Sequence, residues 1–283
     1  MSDVRLVCDS TADLSRSLVA AHGLEVVPLK VIFGEEHLDD GVGIDAATFY
    51  ARMRSGGPPP RTSQPSPGDF EAAFRRSAKA GGAILCTTIS AELSGTHGAA
   101  LAAARACPDL DVRVVDTRTA GLGHHQVVGA ALRAIAAGMD RDQVVAVIGA
   151  VSAAQHLVFT VSSLEYLRRG GRIGGAQALL GSLLAIRPIL ELRAGRIEPL
   201  DRVRTDRRAI RRLAHEAATS GDGITPLRVT IAHAERPGDA AAIAEAMMGR
   251  AVSEPEVIEV GPVIGCHGGP GSLGVVVHPA ALG

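Results

Sequence analysis

The spacing of apolar and polar positions divides the chain into two halves of different rhythm. In the first half, short apolar runs alternate with longer amphipathic ones. VRLVC (4–8) reads as a buried strand and DSTADLS as a polar turn, and a helix then runs to about His22, where Gly23 ends it. LEVVPLKVIF (24–33) is a second extended run. Asp45 caps a helix through FYARMRSG. PPPRTSQPSPGD (58–69) is a stiff Pro/Ser loop, followed by a helix from about Phe70 to Ala80. AILCTT (83–88) and VRVVDT (112–117) are strands separated by the helix THGAALAAARA, and two helices follow, roughly 121–138 and 140–154. This βαβ rhythm predicts a mainly parallel sheet with helices on both faces.

The second half mixes helices with a hairpin. HLVFTV (156–161) is a strand, and SSLEYLRRGG is a short helix capped by Ser162 or Ser163 and stopped by Gly170. GGAQALLGSLLAI (174–186) is apolar nearly all round and reads as a compact helix. RPILELRAGRIEPLDRV folds back on itself at Ala194-Gly195. Beyond it come a helix at about 206–219, strand 227–234, helix 239–250 and strand 257–261. GCHGGPGSLGVVV (265–277) closes the pattern with a glycine collar around His267 and an apolar strand. The expected fold class is α/β: an N-terminal mainly parallel sheet with flanking helices over 1–160, an α+β domain over 161–283, and a ligand tunnel between them.

Composition narrows the function classes. The net charge of −1 gives no general attraction to nucleic acid or to an anionic membrane. No stretch approaches the ~18 uninterrupted apolar residues of a membrane span, and MSDVRLVCDS lacks the apolar core of a signal peptide. Cys8, Cys86, Cys107 and Cys266 are too far apart in sequence for a CxxC pair, so free buried thiols in a reducing cytoplasm are expected. His124-His125 lack a third ligand at metal spacing. Aromatic residues make up only 2%, so any internal cavity has aliphatic walls, better matched to a flexible hydrocarbon than to a stacked base.

Candidate chemistry collects beyond the carboxyl ends of the predicted strands, where open parallel sheets bind ligands. Asp9-Ser10-Thr11, Ser90, Ser94-Gly95-Thr96 and Asp116-Thr117 follow strands, and Thr62, Ser63 and Ser66 lie in the proline loop. Hydroxyls and the first N–H groups of a helix bind an anion without a full counter-charge. The same residues are also ordinary caps and turn formers. Neither a GxSxG elbow nor a GxxxxGK[ST] loop is present. RRGGRIGG (168–175) is rich in glycine and arginine. It lacks the preceding strand and the following acid of a dinucleotide site.

Seven short segments in order carry a resemblance. They are DSTADL (9–14), TSQPS (62–66), SGT (94–96), VDT (115–117), YLRRGGRIGGAQALLGSLLAIRPIL (166–190), RVRT (202–205) and HGGPGSLG (267–274). Together they resemble the DegV-like fatty-acid-binding proteins over nearly the whole chain. The resemblance implies one long-chain fatty acid buried between the domains and no cofactor or catalysis of the chain's own. It also implies a fatty acid kinase partner that converts the presented carboxylate to an acyl phosphate for phospholipid metabolism. It places Thr62 and Ser94 on the carboxylate and His267 within reach, with Ser63, Gly95, Arg172 and Gly268 as neighbours. His97 stands where the family has tyrosine, and Gly268 where threonine is commoner. Roughly 14 buried methylenes at about 0.8 kcal/mol each would give a gross ~11 kcal/mol, so the tail supplies affinity and the head group orientation.

Other readings stay open at this stage. Ser94 with His267 as base would make a serine-dependent acyl hydrolase or transferase. Arg168–Gly175 would hold a small phosphorylated ligand. The basic run containing Arg202 and Arg204 is either a solvated face or a docking patch for an acidic partner such as the kinase.

Overall fold

The computed structural model of the chain describes residues 4–180 and 186–283. In the first half, strand β1 (Val4–Asp9) leads to α1 (Arg16–His22), β2 (Glu25–Val27), β3 (Lys30–Phe33), β4 (Glu36–Asp39), α2 (Ala46–Arg54) and β5 (Arg61–Ser63). Then come α3 (Pro67–Ala78), β6 (Ala83–Thr88), α4 (Thr96–Ala106), β7 (Val112–Asp116), α5 (Leu122–Ala136) and α6 (Arg141–Ala154). A four-stranded parallel sheet in the order β2-β1-β6-β7 forms the first layer. Its residues alternate between faces, as the period of two requires. Val7, Ile84 and Cys86 pack under α3 and α4, whereas Leu6, Cys8 and Leu85 pack under α5 and α6. Caps set the helix starts. Ser66 and Asp69 form a reciprocal capping box on α3 with Pro67 in the first turn, and Asp140 and Gln143 do the same on α6.

The second half runs through β8 (His156–Thr160), α7 (Glu165–Arg169), a 3-10 stretch at Gly174–Leu179, β9 (Arg187–Arg193), β10 (Arg196–Val203) and α8 (Asp206–Ala218). It ends with β11 (Leu227–His233), α9 (Pro237–Met247), β12 (Glu256–Glu259), α10 (Pro262–Gly268) and β13 (Leu273–Pro279). Six strands order as β10-β9-β8-β13-β11-β12, antiparallel throughout except for the parallel β11–β12 pair. Helices α8 and α9 bury one face of this sheet. Towards the other face lie α5 and the small antiparallel sheet β4-β3-β5 with α2 and α10. Helix α5 is therefore shared: Val127 and Ala131 pack towards the parallel sheet, while Gln126 bonds to Thr230 and to the Val276 carbonyl of the six-stranded one.

Four expectations need correction. The run 24–33 is two strands, because Pro28 interrupts it and the chain passes from the parallel sheet to the small antiparallel one. Arg61–Ser63 is a strand rather than loop, paired with β3. Strand β8 pairs with β13 and β9, so the change of sheet falls before residue 156, not near 160. His267, read as part of a glycine collar ahead of the last strand, sits in the last turn of a helix. Of the expected helix 174–186, Gly174–Leu179 is a 3-10 stretch, and 181–185 lie outside the described residues.

Candidate functional site

Between the two halves lies a narrow cavity with about 900 Å³ of empty space in and around it, part of it open to solvent. The six-stranded sheet supplies Leu157, Phe159, Leu192, Ile197, Ala232 and Leu273 to its wall. The opposite wall comes from Leu29, Ile89, Leu93 and the Ala120–Gly121–Leu122 entry to α5. Polar groups gather at Thr62, Ser94, Arg172, His267 and Ser272.

Helix α10 delivers the histidine. Gly261 and Pro262 open the helix, the buried Asp40 carboxylate accepts the Val263 N–H at 3.4 Å, and Gly269 at φ 75° ends it. Gly265 lies against Phe49 and Tyr50 and Gly269 against the Tyr166 ring, so neither position has room for a side chain. The His267 Nε2 atom stands 2.9 Å from Thr62 Oγ1 on β5. Its Nδ1 is buried and has no partner among the described residues. A helix C-terminus favours a protonated ring. Burial wins, helped by the Arg172 charge, and pushes the His267 pKa down to about 4. The ring is thus uncharged at neutral pH. Arg172 donates from Nε to the Leu93 carbonyl at 2.9 Å and from Nη1 to that of Gly170, tying two loops together at the polar end.

The Ser94 hydroxyl pairs with Thr96 Oγ1 at 2.8 Å and accepts the Thr96 N–H at 3.3 Å. His267 faces Thr62, so the structure holds no hydrogen bond between a Ser94 nucleophile and a His267 base. Thr62, Ser94, Arg172, His267 and Gly268 line the cavity; Ser63 and Gly95 do not. Gly95 instead lies against the Gln64 amide, where a side chain would collide. His97 bonds Thr88 Oγ1 at 3.1 Å and stays outside the cavity wall. Beside Gly268, whose Cβ position is 3.0 Å from Ser272 Oγ, the Ser272 hydroxyl lines the cavity. Reading the sequence missed Ser272, and it missed Ala120–Leu122, whose only signal is the Gly121 that starts α5 at φ 55°.

The acidic and hydroxyl residues after β1 and β7 are structural ties. Asp9 is fully buried and accepts from Thr11 and from the Ile89 N–H, and Ser10 donates to Asp40. Asp116 accepts the N–H groups of Ala91 and Arg118. In the 168–175 run, Arg168 and Arg169 both pair with Glu165, and Gly174 and Gly175 lie tight against Ile197 and Glu198 of β10. Two of its four glycines thus serve packing against β10, and two of its three cations are paired with Glu165. Arg202 and Arg204 are exposed at the end of β10. The four cysteines are buried and free, and no metal-binding cluster occurs among the described residues.

Fold and cavity together define a two-lobed α/β protein closed around a narrow apolar slot with one polar end. The chain belongs to the DegV family: the family's sequence model, described as an uncharacterised protein of the DegV family, matches residues 3–280. A DegV domain-containing protein of Streptomyces coelicolor is 43% identical over 277 residues, covering 97% of this chain and 98% of that one. A Thermus thermophilus DegV-family structure described by its fatty acid binding superposes with TM-score 0.92 at 35% identity, covering 98% and 99%. A stearic-acid-binding protein of Eubacterium ventriosum superposes with TM-score 0.89 at 25% identity, covering 99% and 98%. No helix among the described residues is long and apolar enough to cross a membrane.

Proposed function

We infer that this chain is a cytoplasmic carrier that holds one long-chain fatty acid in the cavity. The acid's carboxylate lies at Thr62, Ser94 and His267, where a fatty acid kinase phosphorylates it. The observation that carries the reading is the contrast within one cavity: apolar walls, aliphatic apart from Phe159, with hydroxyls, a guanidinium and an uncharged histidine gathered together. A carboxylate arrives ionised. Hydroxyl donors and the nearby Arg172 charge stabilise it, and its own charge would raise the affinity of His267 for a proton. The Ser94 hydroxyl is engaged with Thr96, which favours a carrier over a serine acyl-enzyme.

The test is mass spectrometry of organic extracts from natively folded protein. A stoichiometric C14–C18 acid is expected. A clean extract that stays clean after incubation with a fatty acid panel would remove the reading. For the partner, reversing charge at Arg202 and Arg204 should slow acyl phosphate formation by the kinase and leave fatty acid content unchanged. Unaltered turnover would place docking elsewhere.

A further inference from the structure

A second cleft lies further along α5, away from the acyl cavity. It encloses about 830 Å³ of empty space, partly open to solvent, between α5 and the ends of β11, β12 and β13. Arg133 from α5, Arg228 from β11 and His278 from β13 all line it.

His278 is 1% exposed. Its Nδ1 lies 2.7 Å from Gln126 Oε1. The Gln126 amide is oriented by its other end, since Nε2 donates to Thr230 Oγ1 and to the Arg228 and Val276 carbonyls. Gln126 Oε1 must therefore accept, which puts the ring proton on Nδ1. Nε2 is left as a buried acceptor with no partner among the described residues. Burial, together with the charges of Arg133 and Arg228, pushes the His278 pKa down to about 4, so the ring stays neutral and Nε2 keeps its lone pair.

The cations are unevenly engaged. Arg228 donates from Nε to the Gly283 backbone oxygen at 2.6 Å. The half-buried Arg133 guanidinium lies over Gly129, and its Nε has no partner. Glu256 also borders the cleft; it lies 3.1 Å from His125 Nε2 and its charge acts on Arg133 as well, while His125 Nδ1 lies 2.9 Å from the Ala12 carbonyl. Glu254 is exposed.

We propose that this cleft binds a hydrogen phosphate ion, with Arg133 donating to its oxygens and His278 Nε2 accepting the proton of its hydroxyl. A donor cation beside a buried acceptor is the combination that suits an oxyanion still carrying an O–H group. Inorganic phosphate keeps such a group at neutral pH. Sulfate has none, and neither does a fully ionised phosphate monoester.

The experiment is isothermal titration at pH 7.5 and constant ionic strength, using inorganic phosphate, sulfate and methyl phosphate separately. One saturable phosphate site is expected, with the other two anions at least tenfold weaker. Arg133→Met should weaken phosphate at least tenfold. Arg133→Lys, which keeps the charge without the planar fork, should fall between. Both variants should retain the wild-type fatty acid content, which reports that they are folded. No saturable phosphate binding, or an unchanged affinity in Arg133→Met, overturns the site. Equal binding of sulfate or methyl phosphate overturns the role of His278.

Discussion

The two regions of the acyl cavity are built by different means. The apolar wall is largely the face of one sheet, with Leu157, Phe159, Leu192 and Ala232 held by ladder hydrogen bonds between neighbouring strands. The polar end is an assembly of parts: a three-residue strand carrying Thr62, a loop carrying Ser94, and a seven-residue helix carrying His267. A wall of this kind presents a large area and depends little on any one residue. An assembled end depends on a few hydrogen bonds. The largest losses of binding should therefore come from blocking the wall, and smaller ones from trimming the end.

Ala232→Phe should have the largest effect. Ala232 is 2% exposed and lines the wall, so a phenyl ring there displaces acyl chain. Excluding about six methylenes at roughly 0.8 kcal/mol each removes ~5 kcal/mol, more than a thousandfold in affinity. The overpacking itself costs about 1–3 kcal/mol of stability. Native mass spectrometry should find the variant folded and empty. A full complement of fatty acid would mean that the tail lies elsewhere.

Thr62→Val and Ser94→Ala come next. Each removes one hydrogen-bonding group from the polar end, worth about 1–2 kcal/mol to a charged ligand, or roughly tenfold. Displacement of a fluorescent fatty acid should show weakened but saturable binding in both. Complete loss in either would mean that the head group, not the tail, carries the affinity.

The same contrast explains what the sequence disclosed. The wall's strands were legible because period-two apolar runs such as LRVTIAHA follow from burial alone, and the alternation with helices gave the parallel sheet. The polar end was legible only as residue types. Thr62 follows three consecutive prolines, which suggested loop, although Arg61–Ser63 pairs with β3. His267 sits among glycines, which suggested a turn. It is helical because Pro262 starts α10 and because Asp13 and Asp40, more than 200 residues away in sequence, accept the N–H groups of Gly261 and Val263 at its start. No local pattern contains that contact. Placing β8 in the second sheet likewise depended on β13, over 100 residues later.

The smallest expected effect is on stability against pH, where buried histidines and buried acids act in opposite directions and His267 and Asp40 are one of each. The folded-state pKa of His267 is depressed from the ordinary 6.5 to about 4 by burial and Arg172. Its contribution is present above about pH 6.5 and is lost as pH falls to about 4, because only the unfolded chain takes up the proton in that window. Asp40 is 4% exposed, and burial raises its pKa from 3.8 to about 7 against the bonds from Ser10 and Val263. Its contribution is fully present below about pH 4 and is lost as pH rises to about 7, since the folded state then holds a proton the unfolded chain has released. Across pH 4–6.5 the two slopes oppose each other, superposed on those of His278, whose pKa burial also pushes down to about 4, and of the buried Asp13, whose pKa is raised. Compared with wild type, His267→Asn should tilt the profile towards stability falling as pH rises. Asp40→Asn keeps an acceptor for Val263 and should tilt it the other way, towards stability rising with pH. Urea midpoints at pH 4.5, 5.5, 6.5 and 7.5 separate these outcomes. Parallel profiles for all three proteins would mean that neither group titrates as its surroundings require, and that the helix joining them is held by packing on Phe49 and Tyr50 instead.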